Sequence, residues 1–476
     1  MNAADRAAVA AGAQISELME RAGAAVAAAA RERFPGRSVC VLAGPGDNGG
    51  DAYVAARILG ETGVEVTLEA LSPPASTAAK AAATRWGGKA LSLGERSPKA
   101  GLVIDALFGA GLNRPLPPEA ARLARTLARS GTPVLAVDVP SGLLGDTARP
   151  LGAAAFKAEL TVTFHRRKLA HVLEPGRSLC GEIVVADIGL GAVSARLYEN
   201  RPALWLPTFP WPGAETHKHS RGSLIVVSGE AWSTGAARLA ARAGLRVGAG
   251  LVTILSPPDA LAVNAAHLEA VMLRPFETET ELEAAASRVE SAVIGPAAGV
   301  SEATLSNVLA LARTGAALVV DADALTVFRD EPEELFSALD RDDVLTPHPG
   351  EFDRVFPGLL KGSPERVTAA RTAAAKAEAV VLLKGPDTVV AAADGRAAVN
   401  LDAPPWLATA GSGDVLAGLI GGLLAQGMES FAAACAAAWI HGRCAALHGA
   451  GLISEDLPGL VPSVMKELQT RVGVDS

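Results

Sequence analysis

Aromatic side chains are scarce in this chain of 476 residues. They make up 4%, with only two tyrosines, a scarcity that reads as compositional drift. Cysteine is scarce as well. Cys40, Cys180, Cys435 and Cys444 show no C-x-x-C spacing, and four in so long a chain exclude a disulfide framework, leaving buried reduced thiols of a cytosolic protein as the plain reading. Basic charge is not in excess: 43 Lys and Arg stand against 51 Asp and Glu, a formal net charge of -8. That balance argues against a nucleic-acid surface. Long apolar runs are missing too. Leu407 to Gly427 is interrupted by Asp414 and glycines, and Phe431 to Ile440 is too short to cross a bilayer. Near the N-terminus, Asp5, Arg6, Glu17, Glu20 and Arg21 break the Ala-rich stretch that a signal peptide would need. The expectation is a soluble cytoplasmic globule with neither membrane nor nucleic acid as partner.

What is abundant is small and aliphatic. A hydrophobic share of 49% excludes a mainly disordered chain, and at about 150 residues per domain the length allows two large domains or three ordinary ones. The first half repeats a short apolar run, a turn of small residues and a helical stretch. Strands are predicted at residues 37–43, 64–70, 101–104, 133–137, 160–164 and 183–185. Residues 200–216, dense in Pro and Trp, break the pattern and suggest a junction; Trp205 and Trp211 would seek cover there. The second half restarts it, with strands at 223–227, 251–255, 291–294, 317–320 and 379–383, a hairpin around Asp394-Gly395, and a long helix from Ser412. Short continuous apolar strands alternating with helices predict parallel sheets covered on both faces. The fold class is α/β: a doubly wound Rossmann-like domain over residues 1–205, then a second α/β domain over 216–476. Open α/β sheets put their ligands at strand C-terminal ends.

Three such ends in the first half are acidic. GPGDNGGD (44–51) joins a strand to a helix, where glycines let backbone N–H groups approach a ligand and a helix start favours anions. It lacks the Lys-Ser/Thr of a Walker loop and is not a clean match to the dinucleotide fingerprint, although Gly44, Gly46 and Gly49 have the G-x-G-x-x-G spacing. Asp47 and Asp51 would repel a phosphate, so they are expected to cap the helix, bind ribose hydroxyls or help hold a cation, with Asp51 placed as the helix N-cap. Asp105 and Asp138 end two further strands and precede small-residue turns, ALFGAGLNRP and VPSG.

GPGDNGGDAYVAAR, DALFGAGLNRP and VDVPSG together resemble NAD(P)H-hydrate epimerase domains, which interconvert the R and S forms of the hydrated reduced nicotinamide cofactors; the likeness runs from about Ala3 to Leu190. The resemblance implies that Asp47, Asn48, Gly49, Gly50, Asp51, Gly109, Ala110, Gly111, Leu112, Asn113, Arg114, Pro115 and Asp138 contact the hydrate. Asn48, Asp105 and Ser141 would hold K+, a hard cation that takes oxygen ligands. Asp138 would do the acid–base work. Asp47 stands where such domains usually have Asn, and Ala52 where they have Gly; the extra charge predicts weaker hydrate binding or a stronger cation requirement.

In the second half, Gly411, Ser412 and Gly413 precede a helix, so free N–H groups and the helix dipole form an anion hole, with the acid Asp414 inside it. Lys384 follows the apolar AVVLL. His348 sits between two prolines, and DADAL (321–325) is a further acidic strand end. The set DADALTVF, TPHPGEF, LLKGPDTV and TAGSGDVLAGLI resembles ADP-dependent NAD(P)H-hydrate dehydratase domains of the ribokinase-like superfamily, over about His217 to Gln469. By that resemblance Lys384, Gly385, Pro386, Asp387, Thr388 and Gly413 contact the adenylate. Ala236, Gly299, His348 and Asp414 contact the S-hydrate, and Asp414 is catalytic. ADP is then the co-substrate, giving AMP and phosphate, with Mg2+ as phosphate partner. Departures fall at Ala297, where a glycine is usual, and at Ala410 and Ser412. The alternative is an ATP-dependent small-molecule kinase with a non-catalytic N-terminal binding domain. Symmetric homo-oligomers are common for such folds.

Overall fold

The computed structural model describes residues 12–94, 98–191 and 194–472. The start of the epimerase likeness near Ala3 lies outside them. Two compact units part between Ser194 and Ala195.

The first unit is built on a seven-stranded, wholly parallel sheet: β1 Val39–Ala43, β2 Val66–Ala70, β3 Ala90–Ser92, β4 Leu102–Ala106, β5 Val134–Val137, β6 Leu160–Phe164 and β7 Glu182–Ala186. The order is β3-β2-β1-β4-β5-β6-β7. β1, β4, β5 and β6 are buried along their whole length, which is why they read as uninterrupted apolar runs. Only β3 escaped the sequence reading, because its three residues are exposed and carry no pattern. The chain leaves β1 toward β2 and β3, then returns to β4 on the other side. The crevice beyond the C-terminal ends of β1 and β4 is therefore the switch point at which doubly wound sheets hold ligands.

Helices α1 (Ile15–Arg33), α2 (Asp47–Glu61), α3 (Thr77–Trp86) and α4 (Pro118–Ser130) cover the sheet. α2 begins four residues earlier than expected. Gly46 is its N-cap, and Asp51 lies buried in its second turn rather than capping it. The glycines of the loop serve packing as much as ligand approach. A Cβ at Gly49 would meet the Gly44 carbonyl oxygen at 1.8 Å, and one at Gly50 would meet the Met19 side chain at 2.4 Å.

The second unit holds a ten-stranded sheet: β8 Leu197–Glu199, β9 Ser223–Val227, β10 Leu251–Ser256, β11 Met272–Pro275, β12 Ser291–Ile294, β13 Ala317–Val320, β14 Val344–Leu345, β15 Val380–Leu383, β16 Thr388–Ala391 and β17 Ala397–Asn400. Its order is β11-β10-β9-β12-β13-β14-β15-β16-β17-β8. β15, β16 and β17 are antiparallel neighbours, so the expected hairpin exists. β8 pairs in parallel with β17, which carries residues from Ala195 onward into the second unit, ahead of the Pro/Trp stretch. That stretch is ordered by burial. Trp205 is fully buried between Phe209 and Trp439, each 5.9 Å away centroid to centroid, and its Nε1 donates to Asn200 Oδ1 at 3.1 Å.

Helices α5 (Gly235–Val247), α6 (Pro349–Val355), α7 (Arg366–Ala377), α8 (Ser412–Ala425) and α9 (Ser430–His448) complete the frame around the site. α5 and α8 lie backbone to backbone. A Cβ at Gly418 would fall 2.1 Å from the Ala240 carbonyl oxygen, and one at Gly422 2.6 Å from that of Gly244. The glycines that interrupt the apolar run at 407–427 are thus contact points of two helices. Among the described residues no helix is long and apolar enough to cross a membrane.

Candidate active sites

A cavity of about 950 Å3 opens at the switch point of the first sheet. It is lined by Asp47, Asn48 and Asp51 from α2, by 107–114 after β4, and by Asp138 after β5, together with Met19, Ala22, Phe164 and Ile188. The sequence-predicted residues Asp47, Asn48, Asp51, Gly109, Ala110, Gly111, Leu112, Asn113, Arg114 and Asp138 are all among its walls. Gly49, Gly50 and Pro115 are not, for the first two face the packing contacts described above.

Asp105 lies near the end of β4 and is fully buried. Its oxygens accept from Ser141 Oγ at 2.6 Å, Ser141 N at 2.8 Å and Leu107 N at 3.3 Å. Burial pushes its carboxyl up to about 6 against the pull of those hydrogen bonds. Asn48 Nδ2 is buried without a hydrogen-bond partner. The partners of Asp105 are thus one hydroxyl and two backbone N–H groups, and among the described residues no ammonium or guanidinium pairs with it, so an oxygen-seeking cation would meet no competing charge there.

Asp138 adopts φ +69, a left-handed backbone that few non-glycine residues take. Its Oδ1 sits 2.6 Å from Lys168 Nζ and accepts from Thr163 Oγ1 at 3.1 Å, and its Oδ2 accepts from Ala110 N at 2.9 Å. Burial by itself would raise this carboxyl, but the Lys168 ammonium and the Ala110 N–H hold it below the ordinary range. Asp51 goes the other way: burial, then the charges of Asp138 and Asp47, raise it well above. Two carboxyls on one cavity wall are thus pushed in opposite directions, the arrangement that acid–base chemistry uses. Lys168, Thr163 and His171 carried no sequence signal beyond being polar near the end of β6.

In the second unit, Asp414 stands in the first turn of α8, after Gly411 at φ +83. Gly413 adjoins Lys384 and Asp321: a Cβ there would lie in ordinary contact, 3.6 Å from Lys384 Nζ and 3.9 Å from Asp321 Oδ2. Lys384 Nζ donates to Asp321 Oδ1 at 2.7 Å and lies 3.6 Å from Glu351 Oε2. Burial works to neutralise this lysine, yet Asp321 and Glu351 hold its affinity for the proton above the ordinary value. Burial and the Asp321 charge push Asp414 up to about 6, with Lys384 pulling back.

The 384–388 loop is held from below. Arg366 donates to the Lys384 carbonyl at 2.9 Å and pairs with the buried Asp387 at 3.1 Å, while Gly385 N donates to Thr388 Oγ1 at 3.1 Å. His348 caps α6: its Nδ1 accepts from Gly350 N at 2.9 Å and Glu351 N at 3.3 Å. Its ring is half exposed. Gly299, at φ +82, donates to Asp323 Oδ2 at 2.9 Å, and Ala297 takes φ +53, so alanine is present where the backbone favours glycine. Ala236 lies in the first turn of α5. A cavity of about 970 Å3 in this unit runs beside α5 and is lined by neither Asp414 nor Lys384. Arg366, Asp321 and Glu351 are supporting residues that strand and helix ends alone did not single out as a set.

Residues 15–170 match the family described as YjeF-related protein N-terminus, and residues 224–455 match NAD(P)H-hydrate dehydratase. The bifunctional NAD(P)H-hydrate repair enzyme Nnr of Gloeobacter violaceus is 38% identical over 462 residues, covering 91% of this chain and 89% of its own. The chain belongs to the bifunctional NAD(P)H-hydrate repair enzymes. The Nnr of Moorella thermoacetica is 35% identical, over 96% of this chain and 93% of its own. Among solved structures, the ADP/ATP-dependent NAD(P)H-hydrate dehydratase of Bacillus subtilis, co-crystallised with ATP and Mg2+, superposes at TM-score 0.50 with 27% identity, covering 58% of this chain and all of that one. A ribokinase-like protein of Enterococcus faecalis, at TM-score 0.52 and 20% identity, shares the fold of the second unit. Both halves of the repair family are therefore present in one chain, with an isomerase and a lyase domain.

Proposed function

We propose that the first unit interconverts the R and S hydrates of NADH and NADPH, and that the second dehydrates the S form at the expense of ADP, releasing AMP and phosphate. The observation that carries this reading is the second site: a carboxyl of raised proton affinity in the first turn of α8, beside a glycine cradle and a buried ammonium. Hydroxide is a poor leaving group. Asp414 takes the proton of the hydrate's hydroxyl as its oxygen attacks the terminal phosphorus of ADP. AMP leaves, and the phosphate ester then eliminates phosphate as a ring C–H proton is lost, which restores the ring double bond. The N–H groups of 411–413 and Lys384 steady the phosphate charge. Gly385, Pro386, Asp387 and Thr388 hold the adenylate, and Ala236, Gly299 and His348 the hydrate. The kinase alternative is set aside, since relatives aligned over both halves are repair enzymes.

Among the described residues no group of three or more His, Cys, Asp or Glu is placed to hold a metal ion. Mg2+ is assigned to the nucleotide phosphates, whose charge it would neutralise, as the ATP and Mg2+ of the Bacillus subtilis dehydratase crystal support. K+ is assigned to Asn48, Asp105 and Ser141, where it would supply a fixed positive charge beside the buried Asp105. Four free, buried cysteines support a cytoplasmic setting, and a homo-oligomer is part of the proposal. The deciding experiment incubates the full chain with hydrated NADH. Absorbance of the reduced nicotinamide should return with ADP and not without nucleotide, and the Asp414→Asn variant should fail to restore it. Restoration at the wild-type rate by that variant would remove the mechanism.

A further inference from the structure

Lys168 is almost wholly buried. Long cationic side chains normally keep their heads in water. This one spends its donors inward: on Asp138 Oδ1 at 2.6 Å, Thr163 Oγ1 at 2.7 Å and the Phe164 carbonyl at 3.3 Å. Thr163 passes the contact on, donating from its hydroxyl to the same Asp138 oxygen at 3.1 Å. The backbone is tied as well. Lys168 N donates to His171 Nδ1 at 2.9 Å, so His171 carries its proton on Nε2 and donates to the Asp138 carbonyl at 2.9 Å. Asp138 is thus gripped at both carboxylate oxygens and at its carbonyl, in a left-handed backbone conformation that few residues would hold unaided.

We propose that Lys168 is a positioning residue of the first site, its ammonium fixing Asp138 as an oriented carboxylate on the cavity wall, so that Asp138 accepts protons and Asp51 donates them. This rests on the epimerase reading of the unit. The hydrated carbon bears a hydroxyl and the ring nitrogen. The nitrogen lone pair forms C=N as the C–O bond breaks, and the hydroxyl leaves as water with a proton from Asp51. Water then returns to the opposite face, restoring the C–O bond and the nitrogen lone pair, and gives its extra proton to Asp138. Atoms and electrons are unchanged, and the two carboxyls exchange roles in the reverse direction. The titratable groups around Asp138 are Lys168 and the neutral His171 from the segment after β6, Asp47 and Asp51 from α2, Asp105 from β4, and Arg114 from the loop after β4. Among these Lys168 is the cation in contact with its carboxylate.

The test measures R-to-S conversion by the full chain without nucleotide, resolving the two hydrates chromatographically. Lys168→Met should lower kcat by roughly 100-fold or more, within the usual range for loss of a positioned acid–base group, with KM changed by no more than about threefold. Without its cation Asp138 binds its proton more tightly, so the acid limb of kcat/KM should move to higher pH. Lys168→Arg keeps the charge and should restore the wild-type limb with part of kcat. A Met variant with kcat and limb both unchanged overturns the proposal. So does an Arg variant as impaired as the Met one with an unshifted limb, which would mark a merely structural lysine. Should the Met variant lose its cooperative melt, Thr163→Val decides, because it cuts the relay and leaves the charge. A fall of about five- to tenfold is expected, and no change refutes the idea. A wild-type chain that converts neither hydrate would instead refute the epimerase reading itself.

Discussion

Replacing Asp414 by Asn should disarm the second site and at the same time make that unit more stable. The substitution preserves shape. Gly411 occupies the N-cap of α8, so no cap is lost. What disappears is a charge in an unfavourable place, since burial and the neighbouring Asp321 raise the carboxyl from 3.8 to about 6. A raised acid is protonated more readily in the folded chain than in the unfolded one. Its cost to stability is absent below the unfolded value, grows between the two values, and is complete above about pH 6. A difference of about two pH units corresponds to about 3 kcal/mol at most, and partial solvent access reduces it. At pH 8 the Asn variant should therefore melt several degrees higher than the wild type. Below about pH 4 the two should coincide. Dehydration, read as the return of reduced-nicotinamide absorbance with S-hydrate and ADP, should fall by roughly 100- to 10,000-fold. Opposite signs in the two assays separate an active-site carboxyl from a structural one. An Asn variant that melts lower at pH 8, or that retains a tenth of wild-type turnover, would refute the reasoning.

Other outcomes follow from single contacts. Asp47 lies on the wall of the first cavity, held by Ser76 Oγ at 2.5 Å; Asp47→Asn should lower the KM for the hydrate by about two- to fivefold at low salt, and high salt should erase the difference. No change at either salt would end the idea that this carboxylate opposes binding. Ala297→Gly relieves a backbone at φ +53 and should stabilise the second unit by about 1 kcal/mol in a denaturant melt. Gly418→Ala forces a methyl to 2.1 Å from the Ala240 carbonyl oxygen, so α8 must move away from α5. A loss of about 2 kcal/mol or more is expected, with dehydration impaired ahead of epimerisation.

Local pattern was enough to locate most strands and the acidic strand ends. An apolar run buried on both faces is legible wherever it is four or more residues long, and Gly411–Asp414 is legible because an anion hole needs glycines at a helix start. Where pattern was short or absent the reading stopped. β3 is three exposed residues, and β14 is two buried ones. β8 joins the sheet through a partner some two hundred residues away, which no local window contains. Asp51 reads equally well as a cap or as a wall of the cavity, and only the position of Gly46 settles that it is not the cap.

The sequence by itself determined the class of the protein: two α/β halves, the loops that bear glycine beside acid, and Asp138 and Asp414 as carboxyls at strand and helix ends. Those features depend on neighbours within a few residues, where propensity and spacing act. Tertiary structure alone decided what each carboxyl is able to do. Lys168 reaches Asp138 across 30 residues because β5 and β6 are adjacent parallel strands, and Lys384 reaches Asp321 across 63 because β13 and β15 flank the short β14 in the same parallel run. Proton affinity depends on burial and on the charges within a few ångströms, and those are properties of the folded sheet edge rather than of any stretch of chain.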